Sequence, residues 1–142
     1  MGRCRESDAR RVTVRPYLVV TTQRRRVSTG SAYESAVGYS RAVRTGAQIV
    51  VAGTTGSGDG IVAQTREALR RIEIALNKVG ASMSDVVRTR MYVTDISRWR
   101  DVGAVHAEVF GDIAPVTTMV EVSALISPEL LIEIEADAYH EA

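Results

Sequence analysis

Cysteine, histidine and long apolar runs are scarce in this chain of 142 residues, and each shortage excludes a class of protein. The single cysteine, Cys4, cannot form an internal disulfide, so the sequence favours a reducing, cytoplasmic location. The longest apolar runs, residues 17–20 and 49–52, are far shorter than the roughly 20 residues that cross a bilayer. We therefore expect no membrane span.

Metal and serine-hydrolase chemistry also lack their usual motifs. The two histidines, His106 and His140, lie far apart in the sequence, and no Cys-x-x-Cys or His-Glu-x-x-His spacing is present. No Gly-x-Ser-x-Gly elbow marks a hydrolase nucleophile. We predict no metal site from these patterns.

The positive charge is concentrated at the start of the chain. Residues 1–26 contain eight cations and two acids, a net charge of +6, whereas the rest contains ten cations and fifteen acids, a net charge of −5. We interpret residues 1–22 as a basic N-terminal extension and residues 23–142 as one compact domain. A nucleic-acid-binding arm is disfavoured because residues 1–26 contain only one aromatic side chain for stacking, Tyr17.

Apolar periodicity and turn residues predict an α+β domain. Strands are expected at 24–28, 40–44, 48–52, 86–94, 117–125 and 130–138, with a further edge strand at 12–22. One helix should run from an N-cap at Asp59 to Gly80, and a second from Asp95 to Gly111. The result is a single mixed sheet in the order β-β-β-α-β-α-β-β, with both helices on one face. The uncovered face predicts self-association.

Alternation assigns side chains to faces within these elements. In strand 86–94, Val87, Thr89, Met91 and Val93 are expected on the face opposite Arg90. In the second helix, an apolar stripe is expected at Ile96, Trp99, Val102, His106 and Val109, which makes His106 a packed histidine rather than a catalytic one.

Two patterns could carry chemistry. Glu133 and Glu135 lie two positions apart on a strand and therefore point to the same face, where like charges raise the pKa of a general acid or base. An ion-pair network with Arg88 and Arg90 is the competing interpretation. The glycine-rich segment 53–60 lacks both nucleotide-binding fingerprints, so a flexible connection is favoured over a phosphate cradle.

Several blocks of sequence resemble one known family. They are Gly38-Tyr39-Ser40-Arg41-Ala42, Val51-Ala52-Gly53, Gln64 with Leu69, Val79-Gly80-Ala81-Ser82 with Asp85-Val86-Val87, and Leu131-Ile132-Glu133-Ile134-Glu135-Ala136. Their order and spacing over about residues 24–139 resemble the Rid family, the YjgF-type reactive-intermediate deaminases. The resemblance implies a chorismate-mutase-like subunit in a homotrimer with clefts between subunits. It also implies hydrolysis of 2-imino acids and their enamine tautomers, without metal or cofactor.

The resemblance also implies site residues. Glu133 matches the glutamate that orients or deprotonates water, and Tyr39 and Gly53 match a tyrosine and a glycine that line the pocket. Trp99 matches an aromatic wall residue, and the backbone N–H of Met119 matches a contact to the ligand. The family's carboxylate-binding arginine is replaced by Thr117, while Gly103 and His106 replace an asparagine and a tyrosine.

The missing arginine leaves two classes of function open. One is a hydrolase acting on an imine or enamine small molecule that lacks the usual carboxylate, since a charge-assisted bidentate contact is lost. The other is a non-catalytic trimer that binds a metabolite or a partner protein. Arg90 or Arg41 could alternatively supply a relocated cation. RNA binding is disfavoured, because the body of the chain is acidic and the chain contains only seven aromatic residues.

Overall fold

The structure is a computed structural model that describes residues 23–141. The strands are β1 (Arg24–Val27), β2 (Ala42–Thr45), β3 (Gln48–Thr55), β4 (Val86–Val93), β5 (Val116–Glu121) and β6 (Ile132–Tyr139). The helices are α1 (Ala32–Val37), α2 (Gly60–Lys78) and α3 (Trp99–Phe110). The strands form one sheet in the order β1-β2-β3-β6-β4-β5. Only β4 and β5 pair in parallel, so the predicted mixed sheet and α+β class are confirmed.

The hydrophobic core lies between the sheet and helices α2 and α3. In α2, Ile61, Leu69, Ile72 and Leu76 recur at helical spacing and are buried, which explains why this segment forms a helix against the sheet. In β6, alternate residues from Ile132 to Ala138 are buried, also as predicted. The residues between them, including Glu133 and Glu135, lie on the other face of the sheet.

Helix α1 was not predicted. Its N-cap Ser31 accepts a hydrogen bond from the Tyr33 N–H, and Gly38 ends it in the left-handed region at φ 83°. The Glu34 side chain is 94% removed from solvent and accepts hydrogen bonds from Ser28 and from the N–H and hydroxyl of Thr29. Six residues are too few for a readable apolar period, so these local hydrogen bonds define the helix.

Two face assignments are wrong. The pairing of β4 with β6 shifts register between Val86 and Arg88, and this bulge leaves Val87 50% exposed rather than in the core. In the second helix, a 3-10 turn over Ile96–Arg98 precedes α3 and changes the phase of the buried stripe. The buried side chains of α3 are therefore Val102, Val105 and Phe110.

Some predicted boundaries also differ. Strand β5 ends at Glu121 rather than at residue 125, and β6 begins at Ile132 rather than at residue 130. The predicted strand 12–22 and the basic extension 1–22 lie outside the described residues. Within the described part of the chain, no helix combines the length and the apolar character that a membrane crossing requires.

Candidate functional site

Glu133 occupies the middle of the sheet. It pairs with Thr55 of β3 on one side and with Tyr92 of β4 on the other. Its neighbours Ile132 and Ile134 are fully buried in the core, so the Glu133 side chain leaves the sheet on the opposite face. This alternation, predicted from the sequence, places the carboxylate away from the helices.

A bulge in β3 brings Gly53 against this carboxylate. The register with β6 advances from Val51 opposite Ala136 to Thr54 opposite Ile134, so β3 contains one extra residue. A Cβ atom at position 53 would overlap the Glu133 Oε1 atom and would lie 3.0 Å from Cδ. Glycine at this position therefore makes the room that the carboxylate occupies.

Arg41 fixes the bulge and the phenol of Tyr39. Its Nη1 donates to the Gly53 carbonyl at 2.9 Å and to the Thr54 Oγ1 at 3.1 Å, and its Nη2 donates to the Tyr39 hydroxyl at 3.2 Å. A guanidinium only donates, so the Tyr39 oxygen accepts this bond and its own proton can be donated to another group. Arg41 thus orients a hydrogen-bond donor beside the bulge.

Burial and charge set the protonation of Glu133. Loss of solvent raises the pKa of this carboxyl above its ordinary value, and the charge of Glu135 raises it further, whereas the charge of Arg41 lowers it. No hydrogen bond contributes to this shift. The protonated form of the Glu133 carboxyl is therefore favoured more than in a solvent-exposed glutamate.

One cavity of about 910 Å³ contains four of the predicted residues. Tyr39, Arg41, Gly53 and Glu133 all line it. Two of the three hydrogen bonds of Arg41, to Gly53 and Tyr39, and the contact of Glu133 with Gly53 link these four residues in one continuous chain of contacts.

The other predicted residues lie elsewhere in the subunit. Thr117 and Met119 belong to β5, the edge strand that β4 separates from β6, and neither lines the cavity. Trp99 begins α3, is 48% exposed and is covered by the Arg100 guanidinium at 4.4 Å from its ring centroid. Within one subunit, these three residues do not meet Glu133.

The hydroxyl of the exposed Thr117 joins a chain of hydrogen bonds that runs into the core. Its Oγ1 lies 2.7 Å from the Oγ1 of Thr89, which lies 2.8 Å from the Nε2 of His106. Thr89 is fully buried, and burial lowers the pKa of His106, which favours the neutral imidazole. Position 117, where the sequence resemblance implies an arginine in related proteins, therefore holds a neutral, hydrogen-bonded side chain.

Of the ion-pair network predicted with Arg88 and Arg90 across an interface, the structure contains only pairs of Arg90 within the chain, and among the described residues Arg88 forms no ion pair. Arg90 lies 3.3 Å from both Glu135 and Asp137, and the Tyr92 hydroxyl donates to Glu135 at 2.8 Å. Glu133 is not part of these ion pairs. Glu135 is therefore paired with a cation, whereas Glu133 is not. Because Arg90 is paired with two carboxylates, its charge is not free to bind a ligand.

Sequence reasoning missed Thr54 and the role of Gln64. Thr54 is 2% exposed, and its hydroxyl accepts from Arg41 and donates to the Ala52 carbonyl at 2.7 Å, which closes the bulge. Gln64 accepts from the Leu131 N–H at 2.9 Å and donates to the Glu129 carbonyl at 3.0 Å, which anchors the segment before β6 to α2. The hydrogen bonds from Thr54 to Arg41 and from Gln64 to the segment before β6 join residues far apart in the sequence, so no spacing pattern predicts them.

The glycine-rich segment packs tightly on α2. Cβ atoms at Gly56 and Gly58 would clash with the helix around Gln64 and Ala63. These glycines thus allow close packing between the loop and the helix. Among residues 23–141, no group of three or more histidine, cysteine, aspartate or glutamate side chains is arranged to hold a metal ion.

Similarity to known proteins covers most of the domain. The family described as Endoribonuclease L-PSP matches residues 29–140. An uncharacterized protein of Streptomyces coelicolor is 35% identical over 126 residues, covering 83% of this chain and 93% of its own. A protein of Acinetobacter baylyi named 3-aminoacrylate deaminase RutC is 34% identical over 77 residues, covering 54% of this chain and 60% of its own.

Solved structures show the same fold. Rv2704 from Mycobacterium tuberculosis, described as a member of the YjgF/YER057c/UK114 family, is 74% identical with a TM-score of 0.82, and the match covers 82% of this chain and 99% of that one. The YjgF gene product of Escherichia coli is 26% identical with a TM-score of 0.67, covering 71% and 87%. This chain therefore belongs to the Endoribonuclease L-PSP family, which is the YjgF/Rid family.

Proposed function

We propose that this protein hydrolyses the C=N bond of imines, or of enamines after tautomerisation, and that Glu133 is the proton-transferring group. The observation that carries the proposal is the position of its carboxyl, half-buried against Gly53 in a cavity and with a raised pKa. The family membership and the deaminase named among the relatives support the same reaction class.

The residues of the cavity suit each step of this reaction. Glu133 accepts a proton from the water molecule whose oxygen adds to the imine carbon and passes this proton to the nitrogen, which gives a neutral carbinolamine. Glu133 then moves the hydroxyl proton to the nitrogen as the C–N bond breaks. The Tyr39 hydroxyl, oriented by Arg41, donates a hydrogen bond to the substrate. The carbinolamine then loses ammonia and leaves a carbonyl product. The balance is one imine and one water consumed, and one carbonyl compound and one ammonia formed.

The charge of the site favours a substrate without a carboxylate. Thr117 supplies no cation, and the three hydrogen bonds of Arg41 go to Gly53, Thr54 and Tyr39. Of the other cations that line the cavity, Arg71 is paired with Glu67, which leaves Lys78 at the end of α2. An anionic group would also meet Glu133. We infer that neutral or cationic imines are preferred and that 2-imino acids are poor substrates.

Assembly would complete the site. In the homotrimer that family membership suggests, the second group of residues, Trp99, Thr117 and Met119, would reach the cavity from an adjacent subunit. We propose an enzyme without a cofactor, as the family resemblance implies, and a cytoplasmic location on the basis of the single cysteine.

A panel of imines made in situ by oxidases tests this function. Carboxylate-free imines are expected to be hydrolysed faster than 2-iminopropanoate, and Glu133→Gln is expected to abolish turnover of both. Glu73→Gln, on the exposed surface of α2, is the matched control. If no imine of any charge is turned over and Glu133→Gln leaves ligand affinity intact, the protein is a non-catalytic binding trimer.

A further inference from the structure

A chain of hydrogen bonds runs from His106 of α3 through Thr89 of β4 to Thr117 of β5, and we call it the hydroxyl chain. Thr89 and Thr117 are opposite each other in the parallel pairing of the two strands, so their side chains leave the sheet on the same face. Thr89 is fully buried, whereas Thr117 is exposed on the edge strand. The hydroxyl chain therefore connects a packed histidine to a hydroxyl at the edge of the subunit.

The directions of the two hydrogen bonds are coupled. Thr89 has one hydroxyl proton and lies 2.8 Å from the Nε2 of His106 and 2.7 Å from the Oγ1 of Thr117, so it donates to one of them and accepts from the other. If Nε2 carries a proton, His106 donates to Thr89, Thr89 donates to Thr117, and the proton of Thr117 is free for another group. If Nε2 carries no proton, the Thr117 proton is used inside the hydroxyl chain.

The protonation of His106 selects one of these two directions. A protonated imidazole has an N–H on both nitrogens and only donates, so it always leaves the Thr117 proton free. A neutral imidazole has a single N–H, and its Nε2 accepts or donates according to the tautomer. Thr117 can therefore donate outward without exception only when His106 is protonated.

The surroundings of His106 keep it neutral near neutral pH and leave its charge unpaired when it is protonated. Burial alone lowers the pKa of His106, which is partly exposed in the subunit, with its ring 4.7 Å from that of Phe110. Arg88 and Arg90 leave β4 on the face opposite Thr89. Within residues 23–141, other charged groups on the neighbouring elements have partners of their own, namely Arg66 with Glu108, Arg98 with Asp101, Asp85 with His140, and Glu121 with the Ile96 N–H.

We propose that His106 is a positioning residue that determines which ligands the site accepts at Thr117. The protonated imidazole frees the Thr117 proton and adds a positive charge behind it, so the site then accepts a carboxylate. The neutral imidazole supplies no charge there, and a carboxylate is disfavoured. This inference rests on the proposed function for the place of Thr117 in the assembled site, whereas the control by His106 rests on the hydroxyl chain.

The affinity for a carboxylate should increase as the pH falls through the pKa of His106. Glu133 also gains a proton in acid, which would weaken its repulsion of an anion, so binding is measured by calorimetry in Glu133→Gln. The probes are pyruvate, which stays ionised, and pyruvamide, which is similar in size and uncharged. From about pH 8 to about pH 5, pyruvate should bind at least about threefold more tightly, and pyruvamide should not change. Pyruvate affinity that does not depend on pH would overturn the inference.

Three variants in the same background assign this dependence to the hydroxyl chain. His106→Gln leaves every other charged group in place, and Thr89→Val removes the hydroxyl between His106 and Thr117, so both should lose the pH dependence. His140→Gln changes the other histidine, which pairs with Asp85 at 3.0 Å, and should keep it. Dependence on pH that survives in His106→Gln or in Thr89→Val would show that another group is responsible.

NMR gives a test that leaves the hydroxyl chain intact. The chain contains two histidines, so His140→Gln retains only the imidazole of His106, and its titration is read without assignment. Because linkage is reciprocal, bound pyruvate should raise the pKa of His106 by the factor that protonation adds to the affinity, and pyruvamide should not. A His106 pKa that is the same with and without pyruvate contradicts the inference even where the core variants fail to fold.

These binding measurements also separate the inference from the proposed reaction. If pyruvate binding depends on His106 as described but no imine is hydrolysed, the role of His106 is supported and only the proposed reaction fails. If imines are hydrolysed but pyruvate does not bind, or binds equally well at every pH, the proposed reaction stands and the role of His106 is wrong.

Discussion

The carboxylate of Glu133 lies directly on Gly53, in space that any side chain at position 53 would occupy. The β3 bulge provides this space, and Arg41 holds the bulge through the Gly53 carbonyl. Backbone irregularity in β3, rather than a side-chain hydrogen bond, therefore places the proposed proton-transferring group.

Gly53→Ala tests this relationship. The new methyl group would displace the Glu133 carboxylate, so we expect at least a tenfold loss of kcat on any imine that the protein hydrolyses, with the fold retained because a carboxylate is the mobile end of its side chain. Gly103→Ala is the control. Its Cβ would meet only the Trp99 ring at 4.0 Å, and alanine should stabilise α3 by about 0.5–1 kcal/mol. Full activity of Gly53→Ala would contradict the role of this contact.

Glu133→Gln should raise stability at neutral pH while it removes activity. A carboxyl whose pKa is raised by folding weakens the folded state as the pH rises from its ordinary pKa through the raised one. The variant should therefore have a higher midpoint of urea unfolding than the wild type at pH 7, and the difference should disappear below about pH 4. If the difference in urea midpoint between the variant and the wild type does not change with pH, burial does not disfavour the ionised form of Glu133.

Glu34→Gln should have the opposite effect on stability. Hydrogen bonds from Ser28 and Thr29 hold the pKa of Glu34 at about 2, so its stabilising contribution is complete above its ordinary pKa and is lost as the pH falls toward 2. We expect a lower urea midpoint for the variant at pH 7 and a smaller loss of stability on acidification. Glu67→Gln is the comparison, because its exposed pairs with Arg70 and Arg71 should contribute little. If the urea midpoints of the wild type and of Glu34→Gln fall by the same amount on acidification, the lowered pKa of Glu34 does not contribute to stability.

Arg41 should act on both Tyr39 and Glu133. In Arg41→Met the pKa of Glu133, followed by carbon NMR of its labelled carboxyl, should rise further because the neighbouring cation is gone. The activity should fall because Tyr39 is no longer oriented. Arg41→Lys keeps the positive charge but not the three hydrogen bonds. Its Glu133 pKa should therefore be close to that of the wild type, whereas its activity should stay well below the wild-type activity. An unchanged Glu133 pKa in Arg41→Met would show that the two groups do not interact.

Regular elements could be predicted from the sequence, and irregular ones could not. The strict alternation of residues 132–138 and the helical spacing from Ile61 to Leu76 determine burial, so the orientation of Glu133 and the packing of α2 were correct. The bulges at Val87 and Gly53 change the register without a sequence signal that periodicity detects. Helix α1 depends on hydrogen bonds from Ser28 and Thr29 to Glu34, which apolar patterns do not reveal.

The predicted site residues fall into two groups, one that lines the cavity and one that does not. Tyr39, Arg41, Gly53 and Glu133 meet in one cavity because β2, β3 and β6 are neighbours in the sheet. Thr117 and Met119 lie on β5, beyond β4, and Trp99 begins α3, so none of the three lines this cavity. Periodicity and spacing along the sequence do not show which of the site residues lie near one another in the fold.

The charge preference of the site is tested most directly by the ratio of kcat/KM for 2-iminopropanoate to kcat/KM for a carboxylate-free imine. The wild type should favour the neutral imine, Thr117→Arg should shift the ratio toward 2-iminopropanoate, and Arg90→Ala should leave it unchanged because Arg90 is paired with Glu135 and Asp137. Vigorous wild-type turnover of 2-iminopropanoate, abolished by Arg90→Ala, would contradict a site without a carboxylate-binding cation.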